Sequence, residues 1–192
     1  FTANSIEGVT VSLYSIMFTA ADLNFTHEVI FSGEAEAMAK LYSPNFQDTA
    51  WQLFSSKINN FIEENVFSSN GLRAFEFGDV MPFQMVVTFK GDNENITKWR
   101  NMERTLNEKY QRDYRSVESG GIIVGGPSNE AEHWTVTGWK TYEDYLNNWQ
   151  NDQNFKKENP KFVKEMEKMN SEIDYSEIAP VKKFMRLLVK QW

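Results

Sequence analysis

The two histidines of this chain lie 106 residues apart (133 − 27), and the residues around them keep the same interval. Ile16-Met17-Phe18 precedes His27 as Ile122-Ile123-Val124 precedes His133. Further on, Phe54, Ile58 and Phe61 meet Phe162, Met166 and Met169 at an offset of 108, and Phe75 meets Phe184 at 109. Both aromatic-aliphatic triplets have spacings of 4 and 3. Identity between the halves is low, so the correspondence rests on order, spacing and pattern together. Self-similarity at a long, nearly fixed interval points to one supersecondary unit used twice.

The second half shows what that unit is. Along Met81–Lys90, Phe83, Met85, Val87 and Phe89 alternate with Gln84, Val86 and Thr88, the period of a strand with one apolar and one mixed face. Asp92 can cap a helix from Asn93 to about Tyr114, whose apolar stripe is Ile96, Trp99, Met102, Leu106 and Tyr110. Val117–Val124 and His133–Trp139 read as strands joined through the turn Gly125-Gly126-Pro127-Ser128-Asn129. Thr141 and Asp144 form a capping box with Asp in the usual Glu position. Pro160 is placed to open another helix, with Phe162, Met166, Met169 and Ile173 as its buried stripe. Val181–Val189 is a last strand, on which Lys182, Lys183, Arg186 and Lys190 fit a charged sheet edge or an anion-binding strip. The order β-α-β-β-α-β is the split βαβ pattern. The expected class is therefore α+β, with two ferredoxin-like (βαββαβ) modules of antiparallel strands.

Residues 81–192 make the complete second module, and residues 1–80 an incomplete first one that lacks its first strand and helix. Counting back from Met81 by the offset gives position −25 (81 − 106). The expectation is that about 25 or more residues ahead of Phe1, or another segment, supply the missing strand. Without it two inner sheet edges stay unpaired.

The run from His133 to Tyr145, a strand ending in Trp139 followed by a short capped helix, resembles the third strand and second helix of the dimeric α/β-barrel superfamily. That superfamily includes antibiotic-biosynthesis-type monooxygenases, stress-responsive barrel proteins and haem-handling enzymes. The resemblance covers residues 81–192 well and 1–80 in part. It implies that the two modules pack their open sheet faces together as an intrachain pseudo-dimeric barrel. A fold so widely used names no activity by itself.

Candidate chemistry centres on the histidines. Histidine titrates near neutral pH and serves as general base or ligand. By alternation His133, Thr135, Thr137 and Trp139 share one face of their strand. If that face looks into the space between sheets they line a pocket, which Gln84 and Thr88 are expected to join. The matching face of the first copy reads His27, Val29 and Phe31, a more apolar set suited to packing. The plainer reading is that each histidine ends a strand and hydrogen-bonds nearby backbone. No His-x-x-x-His spacing offers a metal site, and no cofactor is called for; haem is conceivable because a single histidine can ligate it. Gly120-Gly121 and Gly125-Gly126 suit a bulge and a turn, since no helix follows them to bind phosphate.

Bulk properties narrow the field. A net charge of −7 disfavours nucleic-acid and anionic-membrane partners. With no cysteine there is no disulfide or thiolate chemistry, which suits the cytoplasm without excluding export. No apolar run approaches the roughly 18–20 residues of a membrane span. The leading functional expectation is a barrel protein that binds a small apolar molecule or a protein partner, with a homo-oligomer open. The alternatives are a cofactor-independent monooxygenase-like enzyme and a structural or assembly subunit.

Overall fold

The strand alternation and helical stripes read above become seven strands and five helices in the computed structural model, which describes residues 6–19, 25–43, 56–57, 68–125 and 130–192. In chain order they are β1 (Val9–Thr19), β2 (His27–Gly33), α1 (Ala35–Leu41), β3 (Ser69–Phe77), β4 (Phe83–Gly91), α2 (Asn93–Tyr110), β5 (Ser116–Gly125), β6 (His133–Trp139), α3 (Tyr142–Leu146), α4 (Asn148–Glu158), α5 (Pro160–Asn170) and β7 (Ile178–Gln191). Hydrogen bonding links the strands in the order β2-β1-β7-β4-β6-β5-β3. The pairs β1/β2, β3/β5, β4/β6, β4/β7 and β5/β6 are antiparallel.

Two compact units share these elements. The smaller holds β1 as far as Ile16, β2, α1 and residues 188–192. Its β1–β2 hairpin pairs Ser15 with His27 and runs without a break to Val9 and Gly33. The Ile16 amide donates to the Thr26 carbonyl at 2.9 Å. Val11 and Trp192 exchange backbone hydrogen bonds of 3.2 and 2.9 Å, which joins β1 to the end of β7. Val11, Tyr14 and Ala37 are buried here. Ser12 is buried as well, and its hydroxyl accepts from Gln191 Nε2 at 3.1 Å. Gly8 sits at φ +83°, a conformation that suits glycine.

The larger unit holds β3 to β6, α2 to α5 and β7 as far as Leu187. Its chain order β4-α2-β5-β6-helices-β7 and spatial order β7-β4-β6-β5 are those of a split βαβ unit. The β5–β6 hairpin pairs Gly121 with His133, and the Ile122 amide donates to the Glu132 carbonyl at 2.8 Å. Each of these pairs stands 106 residues beyond its counterpart in β1–β2 (121 − 15, 133 − 27, 122 − 16, 132 − 26).

Local signals account for the helix ends. Asp92 accepts from the Asn95 amide at 2.9 Å, capping α2. The expected capping box at Thr141 and Asp144 is present in both directions. The helix expected after it divides at Asn147 into α3 and α4. Helix α2 stops four residues short of the expected Tyr114, because Arg112 turns back to bond the buried Asn107 and Glu103. The core between α2 and α5 is Met102, Leu106, Phe162 and Ile173, with Trp99, Tyr110, Met166 and Met169 packed around it. Burying one such side chain contributes about 1.5–3 kcal/mol.

One reading changes. β7 is not a sheet edge: it lies between β1 and β4, and Arg186 on it is buried. A charged residue in a strand does not reveal whether it faces solvent or a buried partner. The triplet Phe54, Ile58 and Phe61 and the turn residues 126–129 lie outside the described residues.

Gly120 makes room rather than only a bulge. A Cβ there would stand 2.3 Å from the Leu72 carbonyl oxygen and 2.5 Å from the Trp134 ring. Gly120→Ala is expected to cost about 1–3 kcal/mol, the usual price of overpacking. Urea titration checks it: the midpoint falls while the slope stays constant.

Candidate functional site

Register decides which side chains meet. Across β4 and β6, Phe89 faces His133, Val87 faces Thr135, Met85 faces Thr137 and Phe83 faces Trp139. Directly opposed residues share a face of the sheet. His133, Thr135, Thr137 and Trp139 therefore share a face with the four large apolar residues of β4. The helices cover that face: Phe89 meets the edge of Trp99, Phe83 lies 6.1 Å from Tyr142, and Trp139 meets Tyr145. Trp139 also donates to Asn148 Oδ1 at 3.0 Å, and Thr135 donates to the Glu118 carbonyl at 3.1 Å. These residues pack the sheet against its helices.

Gln84 and Thr88 do not join them. They oppose Gly138 and Trp134, on the other face. The expected single pocket is thus divided by the sheet itself. Alternation along each strand was legible, but the relative phase of two strands depends on pairing, which no single strand carries.

On the helix face His133 sits in a tight polar contact. It is 7% exposed, and its Nδ1 lies 3.2 Å from Arg100 Nη2. Arginine can only donate, so Nδ1 accepts and the neutral ring carries its proton on Nε2. That Nε2 is buried and has no partner among the described residues. Arg100 also donates to Ser119 Oγ and to the Gly120 carbonyl, and the Ser119 hydroxyl donates to the Trp134 carbonyl at 2.8 Å. Burial, helped by the Arg100 charge and opposed by Glu132, holds the His133 imidazole below the usual histidine range. With its accepting nitrogen occupied, His133 locks α2 to β5 and β6 and is poorly placed as a general base. His27, its match at 106, is exposed, with Nδ1 3.0 Å from Thr26 Oγ1.

The face turned away from the helices is ordered in rungs. Arg186, Gln84, Gly138 and Ser116 form one, Phe184, Val86, Val136 and Glu118 the next, and Lys182, Thr88, Trp134 and Gly120 the third. Arg186 Nε donates to Gln84 Oε1 at 2.8 Å, and Gln84 Nε2 donates to the Met81 carbonyl at 2.9 Å. Val86, Val136 and Phe184 make a buried apolar band between the polar rungs. Thr88 is 4% exposed, and among the described residues its hydroxyl has no hydrogen-bond partner. Beside the first rung lies a shallow open cleft lined by Phe77, Val80, Gln84, Ser116, Glu118 and Val136 and by neither histidine. Sequence reasoning missed Arg100, and it placed Arg186 on a charged edge or an anion-binding strip rather than beside Gln84. The signal for Arg186 was its place two residues from Phe184, in phase with an inward apolar residue.

Among the described residues no group of three His, Asp or Glu side chains is placed to hold a metal ion.

Protonating His133 would set a cation against Arg100 in a buried site. Its folded value is depressed, so the unfolded chain takes up the proton first. Stability is expected to be full above about pH 6.5 and to fall as pH drops below the ordinary histidine value toward the folded one. Urea unfolding at pH 7.5 and 5.5 checks this. His133→Gln should show a smaller acid loss than the parent, and an equal loss in both would count against the assignment.

No family model and no curated protein matches the chain. Two solved structures resemble it over nearly its whole length. An anthrone oxidase-like protein aligns with a TM-score of 0.53 at 10% identity, over 99% of this chain and 81% of that one. A protein of Fusobacterium nucleatum subsp. nucleatum, provisionally named a monooxygenase, aligns with a TM-score of 0.51 at 13% identity, over 98% of this chain and 80% of that one. Likeness at such identity concerns the fold, and both structures fit a dimeric α/β-barrel-like one.

Proposed function

We propose that the chain is a tandem of two ferredoxin-like modules, and that its larger unit binds a small, largely apolar molecule on the sheet face turned away from the helices. The tandem reading is supported by the hairpin registers. Ser15 opposite His27 and Gly121 opposite His133 are one pairing displaced by 106 residues, as are the bonds from Ile16 to Thr26 and from Ile122 to Glu132. Chance similarity of composition would not fix register, because a slip of one residue turns every side chain to the other face.

The observation that carries the binding reading is the Thr88 hydroxyl. Buried polar atoms in native proteins nearly always have a partner, and an exception asks for a water, an ion or a ligand. Thr88 lies beside the apolar band of Val86, Val136 and Phe184, and the Gln84–Arg186 pair flanks that band on its other side. An apolar wall with a few placed polar groups is the usual form of a small-molecule site.

A second reading is favoured by the names of the two similar structures, an anthrone oxidase-like protein and a monooxygenase. In it the bound molecule is oxidised by dioxygen. For an anthrone, the methylene carbon becomes a carbonyl; one oxygen atom stays on carbon, and the other leaves as water with both hydrogens.

One experiment addresses both. The chain is titrated with anthrone and anthraquinone by calorimetry, and oxygen uptake is followed on adding anthrone without any cofactor. Binding is expected, with Thr88→Val weakening it about tenfold, near 1.4 kcal/mol for one hydrogen bond. Val136→Trp, which fills the band, should abolish it. Uptake of one dioxygen per anthrone supports oxidation; binding without uptake leaves the binding reading alone. No binding of either compound, or binding untouched by both substitutions, defeats the site.

A further inference from the structure

We infer that the ligand face of the larger unit is regulated from its helix face: protonation of His133 releases Arg100, loosens the seat of Trp134 and weakens binding beside Thr88. The inference deepens the binding reading above and rests on it.

His133 and Trp134 are consecutive residues of one strand, so their side chains leave on opposite faces of the sheet. Trp134 is paired with Thr88 on one side and with Gly120 on the other. Its indole lies over bare backbone. A Cβ at Gly120 would stand 2.5 Å from Trp134 Cζ2 and 2.6 Å from Cε2, and one at Gly71 would stand 3.3 Å from Nε1. The two glycines thus seat the ring across β5 as far as β3. A flat apolar wall next to one hydroxyl is what the ligand would meet.

That seat is held from the other side of the sheet. The β3–β5 ladder shifts register between Arg73 and Phe75, opposite Gly120 and Ser119. Such a shift leaves backbone groups outside the ladder. Arg100 supplies the missing bonds. Its Nη2 donates to the Gly120 carbonyl, and its Nε donates at 3.2 Å to Ser119 Oγ, whose hydroxyl donates in turn to the Trp134 carbonyl. One guanidinium therefore fixes both the floor under the indole and the backbone that carries it. The same Nη2 donates to His133 Nδ1 at 3.2 Å.

A proton on Nδ1 turns that acceptor into a donor and sets imidazolium against guanidinium. His133 is buried and Arg100 half-buried, so the arginine is the group that can withdraw toward water. The groups facing the ring are Arg100 from α2, Phe89 from β4, Gly121 from β5 and Glu132 from the residue before it. Burial opposes the proton most, Arg100 opposes it too, and Glu132 favours it. The ring is thus neutral at neutral pH, and the switch works in acid, below the ordinary histidine range.

The test uses the 192-residue chain and anthraquinone, which has no group that titrates between pH 5 and 7.5. Nuclear magnetic resonance follows two histidine ring signals, one of which His133→Gln removes, and the Trp134 indole signal, identified by its loss in Trp134→Phe. On acidification the Trp134 indole is expected to shift with the midpoint of His133. Anthraquinone affinity should fall roughly fivefold or more from pH 7.5 to pH 5. Coupling is reciprocal, so bound anthraquinone should lower the His133 midpoint further. His133→Gln keeps an acceptor for Arg100 and should bind equally well at both pH values. In Arg100→Met, His133 should still titrate while the indole no longer follows it; if that variant does not fold, His133→Gln decides alone. Three results would each overturn the regulation and leave the binding site standing: equal affinity at both pH values in the parent, an acid loss that persists in His133→Gln, or an indole that still follows His133 in Arg100→Met. No binding at either pH defeats the binding reading and the regulation with it.

Discussion

Helix α2 docks on one face of the sheet, and the division of labour within the larger unit follows from that contact. Trp99 meets Phe89 edge-on, and Arg100, the next residue, reaches His133, Ser119 and the Gly120 carbonyl. One apolar and one polar anchor on consecutive residues fix the helix over the junction of β4, β5 and β6. The cost is a half-buried cation beside a buried imidazole, tolerable only while that imidazole stays neutral and accepts. Because this face is spent on packing, any recognition falls to the opposite one. There the sheet presents Gln84, Arg186 and Thr88 around an apolar band.

Much of the larger unit could be read from residues 81–192 alone. Period-two alternation located β4 and β6, the 3-and-4 stripes located α2 and α5, and Thr141 with Asp144 marked the start of α3. These signals are local: each depends on a side chain and its neighbours a few positions away. The site was less legible because its members come from three strands. Gln84 and Arg186 stand 102 residues apart and meet only through β4–β7 register. Whether Gln84 shares a face with His133 turns on a one-residue phase, and the wrong phase joins two half-sites that the sheet separates. Histidine drew attention for its chemistry, yet its buried form accepts from arginine and does structural work.

The two halves show how context overrides residue identity. His27 and His133 hold equivalent hairpin positions, but one is exposed and hydrogen-bonded to its neighbour Thr26, the other buried under Arg100 and Phe89. The difference lies in what stands beside them. β4 and α2 cover His133, and no counterpart of either appears among the described residues of the first half. Burial, protonation preference and packing of an imidazole are then properties of the neighbouring strand as much as of the ring.

This asymmetry bears on how such a fold gains chemistry. A sheet covered by helices on one side has a single face left for a ligand, and the polar groups on it must be buried to matter. Arg186 and Gln84 satisfy each other, so their contact is structural unless a ligand competes for it. Among the described residues Thr88 has no such partner, and its neighbours Trp134 and Phe184 supply flat apolar surface. A hydroxyl beside aromatic walls orients a planar molecule without ionising it. On the binding reading proposed above, that suffices for selectivity. Oxidation would ask more, because a group must take the proton leaving the substrate, and His133 lies across the sheet with its accepting nitrogen engaged. On this face Glu118 lines the cleft with Arg73 Nε 3.9 Å from its carboxylate, so an acceptor there would be a carboxylate already set beside a cation.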